Sequence, residues 1–209
     1  NVPVTYPPRP VNGLLVGCFL SPNLEKATYP PELAGRLERL GYRIDTDPWK
    51  ARQSKDMALL EVNDVLERRV RAMFDLLDRE PWDFFQCHIM ETDRLHHFLW
   101  EEMEQGHAGL GPRFLAFYRR VDEMLGEVRS ALGPDDTLMV LSDHGEALGE
   151  DLEVGHNCTF SHGVIHVPLL VKLPGGRFGG TRVKHPVSGI DVFPTILGVA
   201  GIAPQPALQ

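Results

Sequence analysis

The sequence predicts an α/β fold: a mainly parallel sheet flanked by helices. Two observations carry that expectation. Apolar, β-prone runs alternate with helical patterns of about ten residues or more, the mark of βαβ units. Two of those runs, Phe84 to Met90 and Thr137 to Leu141, stop abruptly at segments rich in Asp and His. Open α/β sheets carry their ligand sites at such carboxyl ends of strands. The chain shows no internal repeat and no convincing linker, so residues 1–209 read as a single domain.

The elements follow in order. Pro3, Pro7, Pro8 and Pro10 make the first ten residues an extended arm, because proline supplies no backbone donor. Val11 to Leu20 reads as a strand. Pro30-Pro31-Glu32 opens a helix that Gly41 stops, and Tyr42 to Asp45 reads as a short strand. Ser54 caps a long helix to Arg79, with Met57, Leu60, Val65, Leu66, Val70, Met73, Phe74 and Leu77 at helical spacing. Phe84 to Met90 reads as a strand, Arg94 to Glu104 as a helix, and Arg113 to Leu132 as a second long helix ended by Gly133-Pro134. Thr137 to Ser142 and Val167 to Leu173 read as strands, with an irregular polar stretch between Glu146 and Gly163. Asp191 to Gly201 reads as a short helix.

Composition narrows the function. A net charge of −8 argues against a nucleic-acid surface. No apolar run approaches the roughly 20 residues of a membrane span. Cys18, Cys87 and Cys158 form no CxxC pair, so neither a disulfide framework nor a thiolate zinc site is indicated, and a reducing, cytoplasmic setting is expected. An anionic substrate would need local positive charge, which bound metal can supply.

The ligand-type residues fall into sets. Asp93 and His97, at i and i+4, share one face if the segment is helical. Asp143 and His144 follow the strand at 137–142, and Gly145 permits a sharp break there. A third imidazole comes from His156, or else from His162. Carboxylates and imidazoles without thiolates suit zinc, manganese or iron. Plainer roles compete: Asp93 as a helix cap, and His96 and His97 as surface and core residues.

In combination, Ser142-Asp143-His144-Gly145-Glu146, Gly155-His156-Asn157 and His166-Val167-Pro168-Leu169-Leu170-Val171 resemble the alkaline phosphatase superfamily. Glu91 to Trp100 resembles its type I phosphodiesterase/nucleotide pyrophosphatase branch, while Val187 to Ile202 resembles the sulfatases. The resemblance implies a partial alkaline phosphatase-like α/β domain with two divalent ions, zinc or else manganese. Asp93, His97 and His156 (second choice His162) would hold one ion, and Asp143 and His144 the other. It implies hydrolysis of phosphate mono- or diesters by a Thr or Ser nucleophile. No matching nucleophile is present, since Leu20-Ser21-Pro22 does not fit the pattern and Thr92 stands where the family has none. The chain is therefore expected to be the C-terminal part of a longer catalytic domain, inactive alone, with the N-terminal segment of the same enzyme as its partner and a small anionic ester as substrate. Neither a nucleic-acid polymer nor a membrane is expected as a partner. Glu146 and the VPLL strand lean towards sulfatases, so a sulfuric ester hydrolase is the alternative, and a non-catalytic remnant a further one.

Overall fold

The computed structural model describes residues 4–149, 154–156 and 160–203. The chain divides into two compact units, Asn1–Met124 and Leu125–Gln209.

The first unit is helical. A short antiparallel ladder of β1 (Leu15–Val16) and β2 (Thr28–Tyr29) encloses α1 (Leu24–Ala27). Next come α2 (Leu33–Arg39), α3 (Pro48–Ala51), α4 (Lys55–Arg79) and α5 (Glu91–Glu104), and α6 (Gly111–Ala131) begins here. As its spacing predicts, α4 is capped by Ser54, whose Oγ accepts the Met57 N–H at 3.1 Å. Replacing Ser54 by Ala should cost about 1 kcal/mol of unit stability; a urea midpoint unchanged from wild type would show that the cap contributes nothing.

The buried stripe of α4 is Ala58, Leu59, Val62, Val65, Leu66, Arg69, Val70, Met73 and Leu77. Leu60, expected inside, is 55% exposed, because Leu59 and Val62 define the inward face and residue 60 lies about 100° around the helix. Leu95 and Leu99 of α5, and Phe114 and Phe117 of α6, are likewise buried.

One buried polar network interrupts this core. Arg69 and Glu91 are 2% and 1% exposed, with Arg69 Nη2 at 2.7 Å from Glu91 Oε1. The remaining donors of Arg69 reach Tyr42 Oη at 2.7 Å and the Ile44 carbonyl at 3.1 Å. Burial works against the Arg69 charge, but the facing Glu91 carboxylate outweighs it and the guanidinium pKa rises. Burial pushes the Tyr42 phenol up to about 12, so it stays neutral beside the pair.

The second unit holds β3 (Leu138–Leu141), β4 (Ala147–Leu148), β5 (Val154–Gly155), α7 (His162–Ile165), β6 (Leu169–Lys172) and α8 (Val192–Val199). β3 pairs β6 antiparallel, Leu138 opposite Lys172 and Leu141 opposite Leu169. Lys172 Nζ closes the end of this ladder on the carbonyls of Gly133 and Asp136 at 3.1 and 2.8 Å. β4 pairs β5 antiparallel, Ala147 opposite Gly155.

The mainly parallel sheet expected from the alternation does not form among the described residues, where all three ladders are antiparallel. Residues 84–90 and 42–45 join no ladder. A β-prone run becomes a strand only when a neighbour lies about 4.8 Å away to take its backbone groups, and no described segment does so. In the first of these runs Phe84 is 60% exposed, whereas Tyr42 at the start of the second is buried. Among the described residues, no helix is long and apolar enough to cross a membrane.

Candidate metal centre

Asp93 and His97 sit in the first unit. α5 starts at Glu91, three residues earlier than the sequence suggests, and its N-cap is Met90. Asp93 is therefore inside the first turn rather than a cap, and the i,i+4 stacking on one face holds. His97 Nε2 lies 3.2 Å from Asp93 Oδ1, with side chains 34% and 17% exposed.

The other oxygen of Asp93 is held by Arg94, whose Nη1 donates to Oδ2 at 3.0 Å. Arg94 is itself gripped by both oxygens of Asp45, Nε to Oδ1 at 3.2 Å and Nη2 to Oδ2 at 2.8 Å. The Asp45 hydrogen bonds raise the Arg94 pKa, so the clamp stays charged. A carboxylate with one oxygen fixed in this way presents the other in a defined direction, which is how outer groups orient a metal ligand.

His96, next to the ligand candidate His97, has a packing role. Its Nε2 shares a hydrogen bond with Tyr118 Oη at 2.9 Å, and its ring stacks on Phe114 with centroids 5.7 Å apart. Burial lowers its pKa, so the ring is a neutral packing group. The two nominal nucleophiles are also spoken for: Ser21 Oγ donates to the Asn23 carbonyl at 2.9 Å and Thr92 Oγ1 to the Ile89 carbonyl at 3.3 Å.

Asp143, His144 and His156 sit in the second unit. Ser142 Oγ donates to the His144 carbonyl at 2.6 Å, and the Gly145 N–H donates to the Val164 carbonyl at 2.7 Å. These bonds hold the break at the end of β3. His144 Nδ1 faces the Gly145 carbonyl at 3.0 Å. A carbonyl only accepts, so in the neutral imidazole this contact places the proton on Nδ1 and the lone pair on Nε2. The His144 and His156 rings stack with centroids 4.1 Å apart. The Asp143 side chain is 55% exposed and accepts the His144 N–H at 3.2 Å.

His162, the alternative third imidazole, instead faces His166, with centroids 4.5 Å apart. The structure thus pairs His144 with His156. Cys158 and Asn157 lie outside the described residues.

Glu146 was not among the ligand candidates read from the sequence, yet its carboxylate lies beside one of them. Its carboxylate and the His156 imidazole each offer a ligand atom within 4.8 Å of the other. Its Oε1 is buried and has no hydrogen-bond partner among the described residues. An unsatisfied buried carboxylate oxygen is costly, and a cation would satisfy it. The donor types of both units, carboxylate oxygen and imidazole nitrogen with no thiolate, fit a divalent ion such as zinc or manganese.

Comparison with known proteins identifies the family. The profile of the family described as "Type I phosphodiesterase / nucleotide pyrophosphatase" matches residues 3–165. Arylsulfatase K of Danio rerio is 35% identical over 130 residues, covering 60% of this chain and 23% of that protein. The uncharacterized sulfatase YidJ of Escherichia coli (strain K12) is 31% identical over 116 residues, covering 51% of this chain and 23% of that protein. Choline-sulfatase of Rhizobium meliloti (strain 1021) is 38% identical over 88 residues, covering 40% of this chain and 17% of that protein. The chain matches less than a quarter of the length of each of these relatives. No solved structure matches the chain significantly.

Proposed function

Since the chain belongs to the type I phosphodiesterase/nucleotide pyrophosphatase family of the alkaline phosphatase superfamily, whose members are hydrolases, we propose that it carries metal ligands of a divalent-ion-dependent phosphate ester hydrolase. Asp93, His97 and His156 are proposed to hold one ion, and Asp143 and His144 the other. The observation that carries the reading is the Asp93–His97 pair, 3.2 Å apart on one helical face, with Arg94 fixing the second Asp93 oxygen. When bound, a pair of divalent ions stabilises charge on the attacking and leaving oxygens of an in-line displacement. The work of this chain is to present two preset ligand groups. Arg94 aims Asp93, and the Gly145 carbonyl sets the His144 tautomer.

In this reading the substrate is a small anionic ester, a phosphodiester or nucleotide pyrophosphate being favoured by the paired Asp93 and His97. The Thr or Ser nucleophile is supplied by a further segment of the same enzyme. That segment is also proposed to complete a larger, mainly parallel sheet, a reading supported by the exposed apolar side chains of Leu169, Leu170 and Val171 on β6. The sulfatase relatives favour a second reading, hydrolysis of sulfate esters.

One assay separates them. The full-length enzyme is expected to hydrolyse bis-p-nitrophenyl phosphate only with zinc or manganese, and His97→Ala should lower turnover more than about tenfold. Metal-dependent turnover of p-nitrophenyl sulfate alone would favour the sulfatase reading. Turnover of neither ester would remove both.

A further inference from the structure

We propose that Glu146 is itself a metal ligand, acting beside His156. This rests on the metal-centre reading and adds to it a carboxylate that the resemblance did not assign.

The antiparallel register explains how the two side chains meet. Ala147 faces Gly155 and Leu148 faces Val154 in the β4–β5 ladder. Continuing that register by one residue sets Glu146 opposite His156. Directly opposed residues in an antiparallel pair bring their Cβ atoms about 4.5–5.5 Å apart, and ligand atoms of the two lie within 4.8 Å.

Gly155 has φ +92, a conformation L side chains rarely adopt, so the chain can turn there just before His156. A side chain on Gly155 would approach Glu146 Oε1 to 3.6 Å. The same oxygen is buried and has no partner among the described residues. No described Lys or Arg forms an ion pair with Glu146. A cation held jointly with His156 would satisfy that oxygen. The His144 ring stacks on His156 with centroids 4.1 Å apart, which restrains the His156 imidazole. The ligand class is a divalent ion that accepts mixed oxygen and nitrogen donors, zinc or manganese.

The test is a calorimetric titration of the full-length enzyme with ZnCl2 and with MnCl2, alongside melting curves with and without metal. The variants are Glu146→Gln, Glu146→Asp, His156→Ala and Asp93→Asn. Wild type should bind metal and melt higher with it. Glu146→Gln should weaken binding at least tenfold, since even outer groups of a metal site are worth about 10–100-fold. Without metal it should melt at or above wild type, because a neutral amide is cheaper to bury than a carboxylate. Glu146→Asp should fall between the two. If Glu146→Gln binds within twofold of wild type while His156→Ala and Asp93→Asn lose metal, Glu146 is not a ligand and the metal centre stands without it. If wild type neither binds metal nor gains melting temperature from it, the metal-centre reading fails and this inference goes with it.

Discussion

Glu91→Gln should destabilise the first unit by about 3–5 kcal/mol, the cost of leaving one member of a buried ion pair uncompensated. Arg69 is 2% exposed and fully committed, to Glu91, Tyr42 and the Ile44 carbonyl. Removing the Glu91 charge strands a guanidinium that has no path to water. The mirror change, Arg69→Met, strands Glu91 and should cost a similar amount. The double variant Arg69→Met/Glu91→Leu should recover most of the loss, since replacing both members by apolar groups is often neutral. Denaturant unfolding of the three variants measures this. A loss below about 1 kcal/mol, the usual worth of an exposed pair, would mean that water reaches the network. The consequence is functional as well, because Glu91 stands two residues before Asp93 in the first turn of α5. The buried pair ties the start of that helix to α4 and, through it, sets where Asp93 and His97 emerge.

Gly145→Ala should disrupt the second unit. A Cβ there would fall on the Gly163 carbonyl oxygen, far inside van der Waals contact, with the Gly163 carbon at 3.1 Å and the Val164 oxygen at 3.3 Å. All three atoms are backbone, so no rotamer change relieves the overlap. Overpacking usually costs about 1–3 kcal/mol, and a backbone-on-backbone clash belongs at or above the top of that range. The bond from Gly145 N–H to the Val164 carbonyl should break, displacing His144 on one side and Glu146 on the other. We expect a lower melting temperature and loss of metal-induced stabilisation together. Gly126→Ala in α6 is the control. Nothing lies within 4 Å of its added Cβ, so it should be neutral or stabilising by up to about 1 kcal/mol. If Gly145→Ala melts and binds metal as wild type does, the crossing at Gly163 is looser than these distances imply.

Some elements were legible because their cause is local. Ser54 before an apolar-periodic run is a cap in the sequence and in the structure. The runs at 137–142 and 167–173 became β3 and β6 within two residues of their expected ends. Asp93 and His97 were legible because an i,i+4 pair needs only a helix to stack. Glu146 was not, because its role depends on a hairpin register crossing an irregular stretch. The signal available in the sequence was the pair of glycines at 149 and 155, positions where the structure has φ +114 and +92. The packing role of His96 was not legible either, because its partner Tyr118 lies 22 residues away.

Residue order and spacing alone therefore determined the family, the helices with strong periodicity, and most of the ligand candidates, since each follows from neighbours within a few positions along the chain. Tertiary packing decided the rest: which imidazole faces His144, that Arg94 and Asp45 aim Asp93, and that Arg69 and Glu91 are buried together. Those outcomes depend on groups distant in sequence competing for one partner, and only burial and geometry determine which of them wins.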